Sequence, residues 1–390
     1  MKPILSILTL FFLILTYAPV ACQPVTSYPL WNNIESGDYS VGFKVINHWD
    51  KSRNRFPKYE ESGELNKARF FPIQISIWYP SVEPWDTVKA IPFAEYYYLT
   101  EQKNDFNPPS HERREKSMDI FFNFATLGAG LELTKKQLLD IGKTATSAMQ
   151  NADAENNKFP VIITGHDGGV WKVTTLSEFL ASHGYVVIST GPLSQTFSML
   201  SENPQVAIQR RIRTFELVKE MTAQFNFIDD SKIGILGLNA DGMPAMLYQM
   251  KNGEADALVS IDGWEGKNNG YGNVSSSPYF DTENFQIPYL EFQQHEKTDR
   301  ESLQLNSSIF ETLNSPSKQS YVLTDFGHAY LTGNLIAVPG LDKKTVEKYQ
   351  FMFGSILAFY NHYLKGEKIL YEESDKPDSF FQRAKIILEE

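Results

Sequence analysis

The stretch IGILGLNADGM, from Ile233 to Met243, has the residue pattern of a strand, a sharp turn and the start of a helix. Turns of that kind hold the nucleophile of acyl-transfer enzymes, with the pattern Gly-x-Ser-x-Gly. Here Gly237 is kept, Asn239 stands where the serine would be, and Asp241 stands where the second glycine would be. The turn residue takes a strained backbone conformation, often with positive φ, which Asn tolerates better than most non-glycine residues. Asn239 can therefore keep the shape. It does not keep the reaction, because the amide nitrogen lone pair is delocalised into the carbonyl.

Asp241 adds a side chain where glycine normally permits close approach of helix and strand. A carboxylate in the first helical turn gains from the helix dipole. Pointed into a cleft, it would occupy or repel from the place where an oxyanion forms. The plainer alternative is that Asn239 caps the helix and Asp241 is an ordinary first-turn acid. Other chemistry has less support. GHDGGVWK lacks the spacing of a phosphate loop. No HExxH, closely spaced Cys/His set or EF-hand pattern is present, so no metal site is expected. No dinucleotide signature is present either, and no cofactor is expected.

The elements that must position this turn alternate. FPVIIT (Phe159–Thr164), YVVIS (Tyr185–Ser189), Lys232–Leu238, ALVSI (Ala257–Ile261), Ile287–Phe292 and Tyr321–Thr324 read as strands. Helical spacing runs from Val173 to Gly184, Gln205 to Gln224, Ala240 to Met250 and Val346 to Leu364. Upstream, Ser40–Asn47 and Phe70–Tyr79 read as strands, with a charged loop between Asp50 and Lys67. Helices are expected around Glu112–Leu127 and Thr134–Asn151, as an insertion over about 100–157 that shapes a pocket, forms a cap or only packs. Strand-helix alternation predicts an α/β fold with a mostly parallel sheet covered on both faces. Functional residues then belong on loops beyond the C-terminal strand ends.

The chain has 390 residues, of which 42% are hydrophobic and 13% aromatic, enough for a sizeable core. Its net charge of -11 and lack of a basic run oppose nucleic-acid binding. Residues 1–21, MKPILSILTLFFLILTYAPVA, resemble an export signal, followed by Cys22, the one cysteine of the chain. Cys22 is placed like the acylated cysteine of a bacterial lipoprotein, which would anchor the protein to a membrane. Ordinary cleavage, giving a periplasmic or secreted protein, and a retained anchor are the alternatives. Residues 22–37 read as a linker, 38–370 as the domain and 371–390 as a C-terminal extension.

Several segments together resemble serine esterases of the α/β-hydrolase fold, nearest the dienelactone-hydrolase-like and platelet-activating-factor-acetylhydrolase-like proteins. They are VGF at Val41–Phe43, QISIWYP at Gln74–Pro80, FPVIITGHDGG at Phe159–Gly169, LASHGYVVIST at Leu180–Thr190, KIGILGLNADG, ALVSIDGW at Ala257–Trp264 and DFGHAYLT at Asp325–Thr332. The likeness covers roughly residues 38–366. It implies that Asn239 occupies the nucleophile position, Asp262 the acid position and His328 the base position, in that fold's chain order. It also implies an oxyanion loop at His166 and Asp167, with backbone N–H groups near Asp167 and Ala240 forming the hole. Taken singly, Asp262 reads as a strand-ending turn residue and His328 as a structural histidine.

The family reaction is hydrolysis of a carboxylic ester through an acyl-enzyme. With Asn239 in place of the nucleophile, the resemblance points to a pseudoenzyme candidate that binds a small ester or ester-like ligand in the residual cleft. The alternative is an active hydrolase using water activated by His328 or another nucleophile. Trp171, Trp264 and His295 are candidate cleft residues, with core packing the alternative for the two tryptophans. If Asp241 obstructs the hole, Asn239→Ser alone should restore little activity, and Asn239→Ser with Asp241→Gly should restore more.

Overall fold

A computed structural model describes residues 25–67, 69–102, 106–165, 168–191, 203–265, 269–294, 309–368 and 381–388. Among them, eleven strands form one sheet: β1 Ser40–Asn54, β2 Phe70–Ser81, β3 Ala90–Pro92, β4 Ala145–Gln150, β5 Phe159–Gly165, β6 Val186–Gly191, β7 Ile228–Leu238, β8 Ala257–Ile261, β9 Tyr289–Gln293, β10 Ser317–Leu323 and β11 Phe381–Leu388. The spatial order is β11-β10-β9-β8-β7-β5-β6-β2-β1-β4-β3. The block from β6 to β10 is parallel, and β2 and β11 pair antiparallel to its two edges. The sheet is thus mostly parallel at its centre, and the fold is α/β.

Parallel strands need crossovers, and helices Thr174–Ser182, Pro204–Thr222 and Gly242–Asn252 supply them between β5, β6, β7 and β8. β5 and β6 are buried throughout, as expected for strands covered on both faces. One core cluster joins Thr174–Ser182, helix Lys343–Lys365 and the segment after β3; the other lies under Pro204–Thr222 and Gly242–Asn252. Each buried Ile or Leu of β7, such as Ile235 and Leu236, contributes roughly 1.5–3 kcal/mol by leaving water.

Four segments differ from expectation. The first half of Thr134–Asn151 is helix, Lys135–Lys143, but the second half is β4, which pairs with β1 and β3. β1 continues through Asn54 into the segment expected as loop. Residues 25–37 are not a free linker, because Leu30, Trp31 and Ile34 are buried. Trp31 Nε1 donates to the Glu178 carboxylate at 3.2 Å, and Asn32 Nδ2 donates to the Val338 carbonyl at 2.8 Å. Part of the expected C-terminal extension is β11, which covers the edge of β10. Each of these segments is bound by distant partners, which local periodicity does not encode. The expected export segment and Cys22 lie outside the described residues, among which no helix is long and apolar enough to cross a membrane.

Candidate active site

The turn at residue 239 forms because three local requirements meet there. β7 ends at Leu238, a 3-10 turn covers Asn239–Asp241, and helix Gly242–Asn252 follows. Asn239 lies in the left-handed region with φ +56, which its short polar side chain tolerates. The helix lies so close to the strand that a Cβ on Gly237 would meet Gly242 Cα at 2.7 Å. The close approach is therefore carried by Gly237 and Gly242, and position 241 has no such duty.

Asp262 and His328 come to the same place from two other strand ends. Asp262 follows β8 directly, at φ +50, with its backbone N–H bonded to the Phe292 carbonyl at 2.7 Å. His328 opens the short helix His328–Thr332 in the loop after β10. Its Nδ1 is hydrogen-bonded to Asp262 Oδ2, and its Nε2 faces Asn239 Nδ2 at 3.5 Å. Asp262 is buried and the imidazole is 41% exposed, so water reaches His328 but not the carboxylate bonded to it. The Trp264 N–H bonds to the Asn239 carbonyl at 3.2 Å and ties the acid loop to the turn.

The structure thus brings the His328 imidazole, the Asp262 carboxylate bonded to it and the Asn239 amide together at three strand ends, the three positions that the resemblance pairs as base, acid and nucleophile. A dyad of this kind can hold one imidazole tautomer, accept a proton at Nε2 and stabilise the imidazolium formed. Ala240 is fully buried beside the turn. His166, Asp167 and His295 lie outside the described residues. Trp171 is buried, stacked on Tyr97 with ring centroids 5.3 Å apart and edge-on to Phe124. Trp264 is half-buried against the second core cluster. Among the described residues, no group of three or more His, Cys, Asp and Glu could hold a metal ion.

Asp241 corrects an expectation. Its carboxylate does not enter the cleft. It is fully buried and forks onto Arg211 of helix Pro204–Thr222, with Nε–Oδ1 at 2.7 Å and Nη2–Oδ2 at 3.0 Å. Arg211 Nη2 also donates to the Thr190 carbonyl at 3.0 Å. The pair lies against the end of β5. A Cβ on Gly165 would come within 2.7 Å of Asp241 Cγ, so glycine there makes room for it. A bidentate arginine is the strongest partner available to a buried carboxylate, which explains the turn away from the cleft.

Four residues beyond those expected from the sequence lie near the site: Arg211, Thr332, Phe124 and Glu265. Thr332, one helical turn after His328, approaches its Nε2 at 3.3 Å. Phe124 opens a π-helical turn, Phe124–Gly128, and puts its ring 5.9 Å from the imidazole. The spacing of Thr332 from His328 is a helix i,i+4 pair and was legible. Phe124 comes from the inserted helices and gave no local signal.

Glu265 lies under the acid loop and is buried. It accepts from Ser260 Oγ and, at 3.0 Å, from Tyr289 OH. Burial pushes its pKa up to about 7, and repulsion from Glu291 adds to the rise. The unfolded carboxyl titrates near 4.5, so the protonated form is the one the fold prefers. The stability this group contributes is full below about pH 4.5 and is lost as pH rises to about 7. Glu265→Gln mimics the protonated form. Urea unfolding should show the parent losing on the order of 3 kcal/mol across that window and the variant losing much less. Equal losses would show that Glu265 is not the group responsible.

No family model matches the chain, and a comparison with curated proteins gives no match. Among solved structures, a ferulic acid esterase from Streptomyces cinnamoneus is similar, with a TM-score of 0.57 and 16% sequence identity. The alignment covers 88% of this chain and 97% of that one. At that identity the likeness establishes the fold, an α/β-hydrolase fold.

Proposed function

We propose that this chain is an exported α/β-hydrolase-fold protein of the dienelactone-hydrolase-like and platelet-activating-factor-acetylhydrolase-like kind. In this reading it binds an ester or ester-like ligand in the residual cleft and lacks ordinary serine-esterase activity. One observation carries it: the group facing His328 Nε2, at 3.5 Å, is the Asn239 amide. An amide binds polar ligand atoms but does not form an acyl-enzyme. The likeness to an esterase fold and the order of the motifs support the ester class.

Purified protein is expected to show no covalent label from a serine-reactive phosphonate and no fast turnover of short acyl esters. Robust turnover with labelling at a cleft serine would overturn the reading. A second reading is favoured by the intact contact between His328 and Asp262. In it, His328 activates a water that attacks the ester directly. That reading requires slow turnover that falls roughly 10²–10⁴-fold in His328→Ala; turnover unchanged by the substitution rejects His328 as the base.

Export and anchoring rest on the apolar segment before Cys22. Cys22→Ser should move the protein from the membrane fraction to the soluble one. Retention of the variant on the membrane would reject the anchor.

A further inference from the structure

The Asn239 side chain lies against the His328 imidazole. Its carbonyl carbon is an electrophile, and a general base stands against it. The residue is 7% exposed, fixed by φ +56 and by the bond from Trp264 N to its backbone carbonyl. The 3.5 Å separation of Asn239 Nδ2 and His328 Nε2 is at the outer limit of a hydrogen bond, so the amide gains little from the base. With Nδ1 protonated toward Asp262, the Nε2 lone pair faces the amide.

Thr332 sharpens this assignment. Its hydroxyl donates to the His328 carbonyl at 2.9 Å, which uses its one proton. Toward Nε2, at 3.3 Å, it offers only a lone pair. It therefore brings no proton to Nε2 and can accept from Nε2–H once the imidazole is charged.

We propose that the pair of His328 and Asp262 hydrolyses the side-chain amide of Asn239 and converts residue 239 to aspartate in the folded protein. Water, admitted by the exposed imidazole, attacks Asn239 Cγ as His328 Nε2 takes its proton. The Cγ–N bond then breaks as that proton passes from His328 to the leaving nitrogen. Ammonia departs and leaves as ammonium, a carboxylate remains at residue 239, and His328 returns neutral. The overall change is amide plus water to carboxylate plus ammonium. The proposal shares with the water-based reading above only the competence of His328 as a base, and it needs no ester substrate. Absence of ester turnover together with conversion at residue 239 would reject that reading and leave this one standing.

The test is peptide mass mapping of the full-length protein, prepared cold and then incubated for days near neutral pH in heavy-oxygen water. The expected result is aspartate at residue 239 with one heavy oxygen in the side chain, formed faster than at the other asparagines. His328→Ala should retain the amide, with conversion slower by roughly a hundredfold or more. A parent already converted on purification, beside an unconverted His328→Ala, supports the proposal equally. Thr332→Val, which keeps the helix, should slow conversion several-fold and serves if His328→Ala does not fold. An amide that persists at residue 239 in the parent overturns the proposal. So does an aspartate and isoaspartate mixture forming at the same rate in His328→Ala, since attack by the Ala240 backbone nitrogen would give that mixture without a base.

Discussion

Asn239→Ser is expected to restore serine-esterase chemistry in one step. The position already has the left-handed turn conformation, with φ +56, and lies against His328, which Asp262 orients. A serine Oγ there would have the base and the orienting acid that activate it. Turnover of a short acyl ester should rise at least about a hundredfold over the parent, with stoichiometric phosphonate labelling at residue 239. Added His328→Ala should abolish the gain. If Asn239→Ser folds as the parent does and remains unlabelled and inactive, then the cleft lacks more than its nucleophile.

The second large effect reverses what the sequence suggested. Asp241→Gly, offered as the repair that would open the oxyanion hole, should instead damage the fold. It removes the carboxylate that neutralises Arg211, a guanidinium only 7% exposed and thirty positions away in the chain. Breaking a buried ion pair by removing one partner costs about 3–5 kcal/mol. Chemical unfolding of Asp241→Gly should show a loss of that size. Asn239→Ser with Asp241→Gly should be less active than Asn239→Ser alone, since the pair braces the strand ends behind the turn. A stable double variant with higher activity would restore the obstructing role for Asp241. Asp241→Gly with Arg211→Met separates charge from packing: if the unpaired guanidinium causes the loss, much of the stability returns.

The two outcomes depend on different kinds of information. Asn239 acts through its own chemistry and its own backbone. A strand pattern, a helix pattern and a residue tolerant of positive φ are local properties, and each is written in IGILGLNADGM. The same is true of the central strands, where short apolar runs such as FPVIIT and ALVSI became β5 and β8. The second half of Thr134–Asn151 is strand and not helix because β4 is set by pairing with β1 and β3, not by its own period. Trp31 and Asn32, in the supposed linker, were legible only through Glu178 and Val338.

The candidate site divides in the same way. The resemblance of the motifs in their order placed Asn239, Asp262 and His328 in the frame of a hydrolase, and that the chain encodes asparagine and not serine at residue 239 is a matter of identity. What the sequence by itself determined was therefore the architecture and the missing nucleophile. Only the tertiary structure decided where Asp241 points, that Glu265 is buried beside Glu291, and that Phe124 and Thr332 flank the imidazole. The reason is physical. A carboxylate takes its direction from the strongest donor within reach, and the donor for Asp241 lies on another helix. Its pKa depends on how much water the fold excludes, as for Glu265. Neither quantity exists until distant parts of the chain have packed together.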